Sequence, residues 1–204
     1  MALATAARLR PSARNEDRSR VVAQDGGVVV VVVDGAGGMP GGAEAADYAV
    51  AGVQQQAAGL VGSDLVVALL RRLDQEAERL PLCGEAACVV LVVGGDGRVF
   101  GASVGDCEAW LISGGIVARL TQGQHRKKRL GSGGAMPIAF EAILHIGDIL
   151  IVGSDGLFGY VTPDQIVAAA AEPEVELLAQ ALVDAAVGPP VRLADDLAVV
   201  VVAR

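Results

Sequence analysis

A chain of 204 residues fits one domain with a sizeable core, and its formal net charge of −8, from 24 Asp and Glu against 16 Lys and Arg, argues against a nucleic-acid or anionic-membrane partner, both of which call for a basic surface. Cys83, Cys88 and Cys107 are odd in number and lack the CxxC spacing of zinc or redox sites, so reduced thiols are expected. Arg8 and Arg10 are not followed by an apolar run of signal-peptide length and the valine runs are too short to span a bilayer, which predicts a soluble, cytoplasmic protein.

Residues 1–13 read as a loosely held lead-in. Val21 to Gln24 and Val28 to Val33 flank Asp25-Gly26-Gly27, a turn signal between apolar runs, and predict an antiparallel hairpin. The six consecutive valines leave no polar face, so this strand should be buried on both sides. Ala43 to Ala58, rich in Ala and Gln, predicts a helix. Ser63 stands as the N-cap of a second helix, Asp64 to Leu80, with Leu65, Leu69, Leu73 and Leu80 at helical spacing and Pro81 closing it.

From Ala86 the pattern changes to strands. Ala87 to Val93 and Arg98 to Val104 flank Gly94-Gly95-Asp96-Gly97, and Ala109 to Ile112 and Ile116 to Leu120 flank Ser113-Gly114-Gly115. Ile138 to Leu144, Asp148 to Gly153 and Leu197 to Ala203 complete the strands. Thr162-Pro163-Asp164 opens one more helix and Glu174 to Ala186 forms another. Helices segregated from runs of hairpin strands imply an α+β layered sandwich in a single domain over residues 1–204.

Acidic residues recur at the ends of the buried strands: Glu16 and Asp17 before the first, Asp34 after the valine run, Asp106, Asp155 after Ile149 to Val152, and Asp195 with Asp196 before the last. Each taken singly is as well explained by an ordinary turn. Together they form a set of desolvated charges that must be paired, neutralised or bound to a cation, and oxygen donors suit Mg2+ or Mn2+.

The ordered set Asn15-Glu16-Asp17, Asp34-Gly35-Ala36-Gly37-Gly38, Gly105-Asp106-Cys107, Leu120-Thr121, Ser154-Asp155-Gly156-Leu157-Phe158 and Asp195-Asp196-Leu197-Ala198 resembles the metal-dependent type 2C (PPM) protein serine/threonine phosphatase family in its short bacterial form, over nearly the whole chain. The resemblance implies a four-layer α-β-β-α sandwich, two central antiparallel sheets flanked by helices, with two Mn2+ or Mg2+ ions at one end. Carried over by position, Asp34 bridges both ions, Asp155 and Asp195 complete one, and Glu16 and the carbonyl of Gly35 serve the other. Asp17 orients waters, and Asp106 with Asp155 are the candidates for a third, weaker ion. The implied reaction is hydrolysis of phosphoserine and phosphothreonine by a water held between the ions, with phosphorylated proteins as substrates and a cognate Ser/Thr kinase pathway as partner. The alternatives are a non-catalytic or weakly active regulatory or phosphopeptide-binding module on the same fold, and a different two-metal hydrolase such as a nucleotidase.

Several positions depart from the family pattern. Ser12 stands where bacterial relatives carry the arginine that clamps the substrate phosphate, and Arg14, two residues on, is the candidate substitute. Residues 122–137 replace a longer flap by a short, basic, flexible loop. Cys107-Glu108 and Asp196 alter the surroundings of the ligand positions, and Cys107 lies close enough to the site to suggest oxidative sensitivity.

Overall fold

The computed structural model describes residues 3–36, 40–81, 83–187 and 195–204. Ten strands form two five-stranded antiparallel sheets. The first sheet is ordered β2(Arg18–Gln24), β3(Gly27–Gly35), β4(Ala86–Gly94), β5(Arg98–Val104) and β8(Ile138–Ile143). The second is ordered β1(Ala4–Arg10), β10(Leu197–Ala203), β9(Ile149–Gly153), β6(Glu108–Ser113) and β7(Ile116–Arg119). Helices α1(Gly42–Gln56) and α2(Ser63–Ala77) cover the first sheet, and α3(Asp155–Phe158), α4(Pro163–Ala169) and α5(Val175–Val187) cover the second. The result is the α-β-β-α sandwich that the sequence predicts.

The valine run shows why this stacking follows. Val29, Val31 and Val33 face α1 and α2, while Val30 and Val32 face the opposing sheet, and all five are fully buried. The closing strand β10 repeats the arrangement from the other side. Val199 and Val201 pack toward α5, and Ala198, Val200 and Val202 pack between the sheets. A strand with a wet face could not carry this sequence without exposing apolar surface at about 25 cal/mol per Å2.

Four local expectations are corrected. Residues 1–13 are not a loose lead-in: Ala4 to Arg10 form β1, an edge strand in register with β10 from Ala4↔Ala203 to Arg10↔Leu197, anchored by the buried Ala6. Ser63 is not an N-cap; Gly62 holds that position, and the Ser63 hydroxyl instead donates to Glu141 at 2.8 Å. Helix α2 ends at Ala77, before Pro81, and its buried stripe is Val66, Leu69, Leu70, Leu73 and Ala77, with Leu65 and Leu80 exposed.

The fourth concerns residues 122–137, which carry no regular element but are tied down at two points. Buried Leu130 bridges Ala86 through backbone bonds of 2.9 and 3.0 Å. Buried Asp74 of α2 accepts the N–H groups of Gly133 at 3.0 Å and Ala135 at 2.9 Å. Thr162 forms the expected cap of α4, with a reciprocal bond to Gln165.

Candidate active site

Asp34 and Gly35 are the last two residues of β3, opposite Ala87 and Ala86 of β4, so the carboxylate leaves the sheet from a backbone fixed by pairing. Gly35 is required there for close approach. A Cβ would overlap the Gly42 carbonyl at the start of α1 and touch the Glu16 side chain. The Gly35 N–H donates to the Glu16 carbonyl at 3.3 Å, which seats the segment before β2 against the end of β3. Gly37 and Gly38 lie outside the described residues.

Asp196 organises that segment. Its buried carboxylate accepts the backbone N–H of Ser12, of Asn15 at 3.3 Å and of Glu16 at 2.5 Å. Burial alone would raise its pKa, but these N–H bonds outweigh it and hold the carboxyl below the usual carboxylate range. Asn15 takes a left-handed conformation, φ 55°, which asparagine tolerates better than most residues. Asp196 thereby presents Glu16 and Asp17 to the site, a role the sequence does not disclose.

On the other sheet, Asp155 opens α3 directly after β9. Fully buried Ser154 locks this junction to β10, donating its N–H to the Ala198 carbonyl at 3.1 Å and accepting the Ala198 N–H on its hydroxyl at 3.0 Å. Gly156 lies so close to the Asp196 carbonyl that a Cβ would overlap it. Phe158, at the end of α3, stacks on Trp110 with ring centroids 4.6 Å apart, and the Trp110 indole N–H donates to Glu108 at 2.7 Å. The sequence places Asp155 at the end of a core strand as a candidate metal ligand; the structure makes it the first residue of a helical turn held from two sides.

The fold brings Asp17, Asp34, Asp106, Asp155 and Asp195 within electrostatic reach of one another. Burial, reinforced by the charges of Asp17, Asp155 and Asp106, pushes the Asp34 carboxyl up to about 10. Burial pushes Asp17 up to about 7, opposed by a bond from Ser154 and aided by Asp196, Asp155 and Asp195. Asp155 is raised too, by burial first and then by Asp106. Asp17 Oδ2 and Asp106 Oδ1 are buried without a hydrogen-bond partner among the described residues.

Beside the cluster is a cavity of about 380 Å3 lined by Asp106, Glu108, Arg126, Asp155, Phe158, Tyr160 and Asp195. Two guanidinium groups reach its carboxylates from the 122–137 loop: Arg129 to Asp106 at 2.9 Å and Arg126 to Glu108 at 3.4 Å. Neither is singled out by sequence reading, where the two are simply part of a basic run. Arg14 is exposed, and its side chain makes no hydrogen bond or ion pair with the described residues. Cys107 is fully buried, and burial together with the neighbouring carboxylates drives its thiol well above the usual range, away from the reactive thiolate.

A cluster of acidic oxygens, two of them buried without partners among the described residues, suits a hard divalent cation such as Mg2+ or Mn2+. Among the described residues, no three His, Cys, Asp or Glu side chains are gathered tightly enough to grip one ion as they stand. The donor chemistry, oxygens from carboxylates and the Gly35 carbonyl, is of the kind that hard divalent ions take. Glu16 lies against Gly35 and Gly42, on the α1 side of the cluster.

Two sheets and flanking helices in this order are the architecture of the PPM-type serine/threonine phosphatases. The chain superposes on the S. agalactiae serine/threonine phosphatase with a TM-score of 0.84, covering 99% of each chain at 18% identity. The PPM Ser-Thr phosphatase MsPP from Mycobacterium smegmatis, solved in complex with cacodylate, gives 0.76 over 100% of this chain and 98% of that one at 23% identity. The catalytic domain of the serine threonine protein phosphatase PstP, solved in complex with two manganese ions, gives 0.79 over 99% of both at 23% identity. No protein-family model and no curated protein matches the sequence. Among the described residues no helix is long and apolar enough to cross a membrane.

Proposed function

We propose that this protein is a Mn2+- or Mg2+-dependent phosphatase acting on phosphoserine and phosphothreonine in proteins, within a Ser/Thr kinase pathway. The observation that carries the reading is the meeting of Asp17, Asp34, Asp106, Asp155 and Asp195, from five separate stretches of chain, at one end of a PPM-type sandwich.

Asp34, Asp155, Asp195, Glu16 and the Gly35 carbonyl are the groups that would hold the ions, and of the carboxylates Asp34 is the one whose charge burial and its neighbours push up to about 10 when no cation is there to offset it. When bound, the ions supply a water activated as nucleophile and positive charge to offset the phosphoryl oxygens. Asp17 accepts hydrogen bonds from water at the site, and Ser154 behind it limits its rotation. Asp196 and Gly35 hold Glu16 in place from the backbone side. Arg14, exposed on the same segment, meets the substrate phosphate. Ala36 carries no acid group, so solvent protonates the leaving alkoxide.

The test is hydrolysis of a phosphothreonine peptide and of p-nitrophenyl phosphate with and without Mn2+, by wild type and Asp34→Asn side by side. Mn2+-dependent turnover lost in the variant supports the reading. Wild-type turnover no greater than a metal-only blank rejects it.

A further inference from the structure

We infer that Arg129 is a resident cation of the carboxylate cluster, which satisfies Asp106 from within the chain and confines metal binding to the Asp34 side. This rests on the two-ion reading proposed above. The cavity beside Asp34 presents Asp106, Asp155 and Asp195 to one space, a wall that attracts positive charge. On Asp106 that charge is already supplied. Arg129 Nη2 donates to Asp106 Oδ2 at 2.9 Å, and the two side chains are only 31% and 12% exposed, so solvent screens the pair weakly.

The backbone that carries the guanidinium is also tied down. Leu130, the next residue, is plugged into the core and bonded through both backbone groups to Ala86, which lies opposite Gly35 in the β3–β4 register. The Ser132 hydroxyl donates to the Arg129 carbonyl at 2.7 Å. The backbone from which Arg129 reaches Asp106 is therefore held against the strand next to Asp34. Among the described residues the other oxygen of Asp106, Oδ1, has no hydrogen-bond partner, and an ion approaching it would meet a positive charge on the same carboxylate. By contrast Arg126, at 70% exposure and 3.4 Å from Glu108, can be displaced.

The experiment counts Mn2+ bound per chain, by calorimetry and by electron paramagnetic resonance of free ion, in wild type, Arg129→Met, Arg129→Lys and the Arg129→Met/Asp106→Asn double variant. Two ions in wild type and Arg129→Lys, three in Arg129→Met, and two again in the double variant are the expected counts. Should Arg129→Met fail to fold by circular dichroism, Arg129→Gln, which is polar and uncharged, takes its place with the same expected third ion. Three ions in wild type, no ions in wild type, or no gain on removing the charge would each overturn the inference. Two ions in wild type without phosphopeptide hydrolysis would reject the phosphatase reading and leave this one standing.

Discussion

Asp34→Asn should make the metal-free protein more stable at neutral pH, and the size of the effect follows from proton counting. In the folded chain burial and the neighbouring carboxylates push the Asp34 carboxyl up to about 10, whereas in the unfolded chain it keeps the ordinary aspartate value of 3.8. The folded state therefore holds a proton that the unfolded state has released. A raised carboxylate pKa contributes stability below the unfolded value, and that contribution is lost as pH rises toward the folded one. Each such proton gives a slope of about −1.4 kcal/mol per pH unit, or about 3 kcal/mol lost between about pH 6 and about pH 8. For a chain of this size that is a fall in Tm of roughly 5–10 °C. Asn cannot titrate, so the variant should lack this slope.

The assay is thermal unfolding in chelator across that pH range, with the wild-type curve read against the variant's. Mn2+ should flatten or reverse the wild-type slope, because ionised carboxylates bind the metal and protonated ones do not. A wild-type Tm in chelator that stays level or rises relative to Asp34→Asn would refute the reasoning.

Other substitutions probe the scaffold and the substrate. Asp196→Ala strips three backbone N–H groups of their acceptor and should cost roughly 2–4 kcal/mol in urea unfolding, with weaker Mn2+ binding by calorimetry. Gly156→Ala forces α3 away from the Asp196 carbonyl, costing about 1–3 kcal/mol by denaturant titration and lowering turnover more than the fold loss explains. Leu182→Ala, in the fully buried face of α5, should cost about 2–5 kcal/mol of stability while leaving Mn2+ stoichiometry unchanged. Arg14→Ala should raise KM for a phosphopeptide several-fold with a smaller change in kcat, and an unaltered KM would remove Arg14 from phosphate binding.

The layering was legible in the sequence because valine runs with no polar residue admit only strands covered on both faces. The acidic set was legible for a related reason: strand ends are marked by a sharp change from valine to aspartate and glycine. What stayed hidden depends on contacts between distant segments. Nothing local in Ala4 to Arg10 announces a strand, since its partner is β10, nearly the whole chain away. Asp74 reads as one more polar residue of an amphipathic helix until its two loop N–H donors are seen. Asp196 and Arg129 act through partners 180 and 23 residues away, beyond the range of any spacing rule.

The acidic residues do not share a sheet. Asp34 is carried by the β3 side of the sandwich, Asp155 and Asp195 by the β9–β10 side, and interlocked side chains such as Leu91, Leu150 and Val200 fill the gap between the two. That apolar filling, with the Asp196–Glu16–Gly35 link beside it, is in effect a calliper. A methylene added or removed there, far from any charge, would slide one jaw against the other and reset the spacing of the carboxylates before it loosened the fold.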